Sequence, residues 1–389
     1  MFTLNQEELE NLGATITTRE IAQQPDLWDE AFSTYTEKKS EIEVFLSKLT
    51  EKYTKMRVIF TGAGTSAYVG DTITPYLKGK VDENHWELSS IPTTTLVSNP
   101  YQFYKSDIPT LLVSFARSGN SPESVASVEL GKQIVTDFYQ LTITCAKDGE
   151  LAKRAQGDND NLVLLMPELS NDQGFAMTGS YSCMTLTALL VFDTISENEK
   201  EEHVKTIRKM GSSVIERVSE IQKVIDEDFD RIIYLGSGSL EGLTRETQLK
   251  VLELTAGKVV TAFDSSLGFR HGPKSFVNEK ALVFVFVSNQ SYTRKYDLDI
   301  LKELKADGIA QSVVAIETTG KDNYDGDTFS FGIEGTDVPD AYLALPYVMY
   351  GQTVSLLSSI KVGNKPDTPS PTGTVNRVVK GVTIYDYKK

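Results

Sequence analysis

Cysteine, histidine, basic charge and long apolar runs are all scarce in this chain of 389 residues. The two cysteines, Cys145 and Cys183, are far apart and form no metal-ligand motif. They read as buried reduced thiols, which fits the cytoplasm better than an oxidising compartment. The longest apolar runs are short, such as "ALVFVFV" at 281–287. None approaches the roughly 20 residues that cross a bilayer. The N-terminus, "MFTLNQEELE", is acidic and polar, without the pattern of a signal peptide. Net charge is −15. That weighs against nucleic acid and anionic membranes, which both want basic surfaces. An anionic ligand would need neutral donors: hydroxyls, backbone N–H groups and helix N-termini. There is no H-E-x-x-H motif and no Cys/His cluster, so no metal and no cofactor is expected.

What is present is an α/β pattern used twice. Residues 1–55 read as helical, with Phe32, Tyr35, Ile42, Phe45, Leu46 and Leu49 near helical spacing. Then come short apolar runs: "RVIF" (57–60), "TLLVSF" (110–115), "LTITC" (141–145) and "LVLLM" (162–166). They alternate with helix-like segments, as in a parallel sheet covered on both faces. The order repeats. "RVIFTGAGTSAY" starts at Arg57 and "RIIYLGSGSLEG" at Arg231, an offset of 174 residues (231 − 57). "ALVFVFVSNQSYTRKYDLDILKEL" (281–304) parallels "TLLVSFARSGNSPESVASVEL" (110–130), and "SVVAIE" (312–317) and "TFSFGI" (328–333) complete the set. The expectation is two tandem doubly wound parallel-sheet domains, with the charged stretch 196–227 as the joint. The expected boundaries are an N-terminal helical segment 1–35, domains at 36–200 and 201–365, and a tail at 366–389.

"GAGTSA" (62–67) and "SFARSGNSPES" (114–124) stand at the carboxyl ends of neighbouring strands, where such sheets bind ligands. Neither is a Walker loop, because Gly-Lys-Ser/Thr is missing. No acidic residue closes a second strand about 20 residues on, so the dinucleotide fingerprint is only formal. Two readings stand for each turn: a plain strand–helix cap, or a cradle for a small phosphate monoester. Glycine lets backbone approach an anion, Ser66, Ser118 and Ser121 offer hydroxyls, and the helix after Pro122 offers free N–H groups.

Three histidines exist. His203, in "EKEEHVKTIRK", reads as solvated, and His85, in "DENHWEL", as surface or structural. His271 lies in the constrained loop "SSLGFRHGPKSF", the kind of segment that carries function. Upstream, "LEGLTRETQLKVLELTAG" reads as a helix ended by Gly257. Glu246 and Glu253, seven apart, share a face. Partial burial of Glu253 among leucines and valine would raise its pKa and suit it to proton transfer. The tail "NKPDTPSPTGTVNRVVKGVTIYDYKK" reads as an extended arm carrying Arg377 and Lys380.

Taken together, "GAGTSA", "SFARSGNSPES", "TRETQLKVLEL", "FRHGP" and "TVNRVVKGVTIY" resemble the sugar isomerase (SIS) domain family over about residues 36–389. The layout is similar to the isomerase half of glucosamine-6-phosphate synthase. The "SGNSPE" and "RHGP" forms resemble the bacterial galactosamine-6-phosphate deaminase group, also known as tagatose-6-phosphate ketose/aldose isomerases. The resemblance implies a sugar-phosphate enzyme. Gly64, Thr65, Ser66, Arg117, Ser118, Gly119 and Ser121 then fall at the substrate phosphate. Glu253 falls on the base working between C1 and C2, His271 on the ring-opening residue, and Lys380 on the tail lysine. In the family that histidine comes from the neighbouring subunit, which implies at least a dimer. Two departures stand out. No glutamine-hydrolysing domain precedes the pair, and Ala116-Arg117 replaces a hydroxyl and an amide in the phosphate turn. Isomerisation without deamination and a non-catalytic sugar-phosphate sensor are the alternatives.

Overall fold

The computed structural model describes residues 1–319, 324–333, 337–379 and 381–388. Two parallel five-stranded sheets organise the chain. The first contains β1 (Met56–Thr61), β2 (Trp86–Ser90), β3 (Thr110–Ala116), β4 (Phe138–Thr144) and β5 (Asn161–Leu165), in the order β2-β1-β3-β4-β5. The second contains β6 (Arg231–Gly236), β7 (Val260–Ser265), β8 (Ala281–Phe286), β9 (Ser312–Glu317) and β10 (Asp327–Ser330), in the order β10-β9-β8-β6-β7. Read from the other edge, the second order is the first again. In both, the connections leave in opposite directions from one pair of strands, β1/β3 and β6/β8. That is the topological switch point of a doubly wound sheet.

Burial explains why these segments are strands. Every residue of β3 and of β8 is buried, so each needs apolar side chains on both faces. Ile59, Leu112, Val128 and Leu130 share one core cluster in the first sheet. Ile233, Val283, Val285 and Leu301 share another in the second. The edge strands β2 and β7 differ. "WELSS" and "VTAFDS" are polar and part-exposed, and sequence reading passed over both. The last strand is also shorter than the 328–333 run suggested, ending at Ser330.

Two compact units result, each gathering distant segments. One holds residues 27–172, 179–200 and 375–389, and the other 1–26, 173–178 and 201–374. The first two helices, Gln6–Leu12 and Thr15–Ala22, thus go with the second sheet, while nearly all of the helix Gln24–Lys52 and the last stretch from Val375 go with the first. The change from one unit to the other at residue 200 falls inside a continuous helix, Glu197–Glu216. His203 on that helix is half-buried, not solvated, with its ring 5.1 Å from that of Tyr342. Both cysteines are buried and unpaired, and burial pushes the Cys145 thiol up to about 12. No helix among the described residues is long and apolar enough to cross a membrane.

Candidate active site

The expected site residues divide between the two units. The turns after β1 and β3 belong to the first, and Glu253 and His271 to the second. Lys380 lies outside the described residues.

In the first unit, β1 and β3 are paired neighbours, with Phe60 opposite Val113. Their turns therefore sit side by side at the switch point. Gly64, with φ 56° and ψ −130°, caps the helix Thr65–Lys78. An L side chain rarely adopts that backbone, and glycine removes the cost. Gly62 serves close approach: a Cβ there would fall 2.5 Å from the Ser66 carbonyl oxygen. Thr65 and Ser66 open the helix and are buried. In the turn after β3, Gly119 has φ 66°. Ser121 caps the helix Pro122–Ile134 without a side-chain hydrogen bond, so its hydroxyl is not spent on the cap. Ser118 and Ser121 are half-buried. The turn is braced from behind. Leu151 N–H donates to the Gly119 carbonyl at 3.2 Å, and Glu150 N–H to the Asn120 side chain at 2.9 Å. Hydroxyls and a helix N-terminus converge there, the neutral donor set that a net acidic chain needs for an anion.

Arg117 departs from the simplest phosphate geometry. It is only 6% exposed. Its guanidinium donates to the backbone carbonyl of Arg377 at 2.7 Å.

In the second unit, Glu253 lies on the helix Ser239–Leu254. Its side chain is 23% exposed, partly buried as its apolar flanks suggested. The neighbour missed from sequence is Lys250. That lysine is 1% exposed and donates to Glu253 Oε2 at 2.6 Å, with Glu246 Oε1 at 3.5 Å on its other side. Glu246, Lys250 and Glu253 stand at i, i+4 and i+7, so one helix face carries carboxylate, ammonium, carboxylate. A signal was present in the sequence at that spacing. The helix ends at Leu254, before Gly257, and Ala256 takes a left-handed φ of 52° in the exit turn.

His271 ends a short 3-10 turn, Gly268–His271, and is exposed. Among the described residues it makes no hydrogen bond or ion pair. Its flanks are fixed. Arg270 pairs with Glu303 at 2.6 Å and Asp299 at 2.9 Å, and Lys274 pairs with Glu303 and with Asp307 at 2.6 Å. Lys274, then Arg270, hold the Glu303 carboxyl below its usual range. The loop thus presents an imidazole outward from a rigid base.

No family model matches the chain. Individual proteins do. The D-galactosamine-6-phosphate deaminase AgaS of Escherichia coli is 42% identical over 376 residues, 96% of each chain. A protein of the same name from Shewanella sp. (strain ANA-3) is 38% identical over 391 residues, 99% of this chain and 96% of its own. The crystal structure of tagatose-6-phosphate ketose/aldose isomerase from Escherichia coli superposes with a TM-score of 0.86 at 40% identity, covering 96% of this chain and 97% of that one. The C-terminal domain of glucosamine-fructose-6-phosphate aminotransferase from Francisella tularensis, at 17% identity and TM-score 0.74, shares the fold over 90% of this chain and 98% of its own. On identities of this size over nearly the whole chain, the protein belongs to the AgaS family of tandem sugar isomerase (SIS) domain proteins.

Proposed function

We propose that the chain converts D-galactosamine 6-phosphate and water to D-tagatose 6-phosphate and ammonia. The observation that carries this reading is 42% identity across 96% of a protein bearing that deaminase name. The neutral donors gathered at the β1/β3 switch point support it independently. Gly64, Thr65, Ser66, Ser118, Gly119 and Ser121 hold the phosphate, which fixes C1 and C2 relative to the protein. His271 opens the pyranose by moving a proton between O5 and O1. Glu253 takes the C2 proton to give an enolamine, then returns a proton to C1. The product is a 2-imine, which water hydrolyses to the ketose with loss of ammonia. Lys250 holds the Glu253 carboxylate in place, and Lys380 stabilises developing negative charge on the sugar oxygen.

His271 is exposed within its own chain, which supports its donation to a second copy. The edge strand β7 and its surroundings expose Val260, Phe263 and Leu267, apolar surface suited to a homo-oligomer of at least two chains. The reaction is a cytoplasmic one, in keeping with two buried unpaired cysteines. It runs without metal, so chelator leaves activity intact.

The name of the Escherichia coli structure at 40% identity favours a second reading, isomerisation without deamination. Glu253 and His271 keep their roles there, with an enediol as the intermediate. One experiment separates the two. Ammonia and ketose are assayed together on galactosamine 6-phosphate, glucosamine 6-phosphate and N-acetylgalactosamine 6-phosphate, beside an unaminated aldose phosphate. Equal ammonia and ketose from the first substrate is the expected result. Ketose from the unaminated sugar alone would replace deaminase with isomerase. Binding of any of them without turnover would leave a sensor.

A further inference from the structure

The C-terminal arm is held at two places within the unit of the first sheet. At its start, Arg117 donates to the Arg377 carbonyl at 2.7 Å, and the Arg377 guanidinium in turn donates to the Asp172 carbonyl. Asp172 is itself fixed. Its carboxylate accepts from Gly179 N–H and Ser180 N–H, both at 3.0 Å, at the start of the helix Gly179–Phe192. Further on, Tyr387 packs against the core cluster that includes Leu130, and Ile384 and Tyr385 line a cavity with Val125 and Leu130 of the helix Pro122–Ile134. There Gln133 donates to the Tyr387 carbonyl at 3.0 Å. The same helix carries Ser121 at its N-terminus. Both fixed points therefore rest on the turn-and-helix unit that follows β3.

Arg117 is the residue where this chain departs from the synthase turn, and its side chain is buried. A buried guanidinium hydrogen-bonded to a carbonyl gives up water to do so, and the bond is charge-assisted. We propose that Arg117 is a positioning residue: it fixes the C-terminal arm against the turn after β3 and does not itself take the phosphate. Lys380 follows Arg377 by three positions, a reach of about 10 Å along extended chain. Fixing Arg377 therefore fixes how far that lysine can stray. The inference rests on the functional reading for its effect on catalysis, but the contact between Arg117 and the arm can be tested without substrate.

The test uses the full chain as wild type, Arg117→Gln and Arg117→Lys. Amide hydrogen exchange is followed over residues 375–388, and inorganic phosphate serves as a competitive probe in the kinetic assay. One charge-assisted hydrogen bond corresponds to about a 10–100-fold change in an equilibrium. Arm exchange in Arg117→Gln should speed up by about that factor, with Arg117→Lys intermediate. kcat should fall, while KM and the phosphate inhibition constant stay within about twofold, as for a group acting after binding. Unchanged exchange in the arm overturns the proposal whatever the kinetics. So does a tenfold weakening of phosphate that accounts for the whole loss in kcat/KM. If Arg117→Gln does not fold, Arg117→Lys carries the comparison, and Arg377→Gln, which keeps the carbonyl that Arg117 holds and removes the bond to the Asp172 carbonyl, should free the arm less than loss of Arg117 does. A chain that turns over no amino sugar phosphate would defeat the functional reading and leave the exchange result standing.

Discussion

In the first repeat the turn after β1 runs through Gly64 into Thr65 and Ser66; in the second, the turn after β6 runs through Gly238 into Ser239 and Leu240. The backbones match closely, φ 56° and ψ −130° against φ 59° and ψ −121°. So does the close approach. A Cβ on Gly62 would meet the Ser66 carbonyl at 2.5 Å, and one on Gly236 the Leu240 carbonyl at 2.7 Å. What differs is the occupant. Among the described residues no carboxylate bonds to the side chains of Ser66, Ser118 or Ser121. In the second repeat two aspartates do that work. Asp297 accepts from the Ser237 and Ser266 hydroxyls at 2.6 and 2.5 Å and from Ser288 N–H at 2.9 Å. Asp340 accepts from the Ser288 hydroxyl at 2.5 Å and Asn289 N–H at 2.7 Å. By strand register, Ser288 stands where Arg117 stands in the first repeat. The second switch point thus satisfies its donors with the chain's own carboxylates, while at the first no described carboxylate takes the hydroxyls, which is what the proposed phosphate site requires. One fold supplies a proposed binding turn and a structural one, and the helix after the structural turn carries Glu253.

The largest expected effect separates binding from chemistry. Glu253→Gln should lower kcat by about 10²–10⁴, with KM little changed, because a positioned base acts only in the transition state. A fully active variant would remove Glu253 from the mechanism. Next, Ser66→Leu writes the second repeat's residue into the first. It should raise KM for the sugar phosphate by about 10–100-fold, the worth of a hydrogen bond to a charged group. An unchanged KM would mean that the first turn holds no phosphate.

The third test concerns the carboxylates. Burial pushes the Asp340 carboxyl up to about 6, and the Asp297 charge adds to it against the pull of the Ser288 and Asn289 hydrogen bonds. Burial raises Asp297 as well. A group whose folded pKa lies above its unfolded value near 3.8 binds its proton more tightly when folded. Its ionisation therefore costs stability that grows as pH rises from about 4 through 6. Denaturant unfolding of wild type and Asp340→Asn across pH 4–7 should show wild type losing about 2–3 kcal/mol relative to the variant. Parallel pH curves would show that Asp340 is not strained by burial. The smallest effect is at Ala256, a non-glycine residue at φ 52° just beyond Glu253. Ala256→Gly should raise stability by about 1 kcal/mol by relieving left-handed strain, read as a shift in the urea midpoint.

The repeat was legible because its glycines are backbone requirements, and such requirements keep their spacing when side chains change. The buried strands were legible because both their faces are apolar. β2 and β7 were not, since an edge strand pairs on one side only and tolerates "WELSS" or "VTAFDS". Lys250 could have been read from its helical spacing to Glu246 and Glu253. The contacts of Asp297, Asp340 and Arg117 could not. All but the Ser288–Asp297 bond join residues from 31 to 260 positions apart, and no local pattern encodes where a chain returns.

That the unit of the first sheet takes in residues 375–389 sets an order of events during synthesis. Its other segments have all been made by residue 200. At about 5–20 residues per second, roughly 10–35 s pass before Val375 is added. Throughout that interval the Val125 and Leu130 face of the helix Pro122–Ile134 has no arm to cover it. The domain whose strands are translated first waits longest for its last segment, and a ribosome stalled before residue 375 would leave it folded but unfinished.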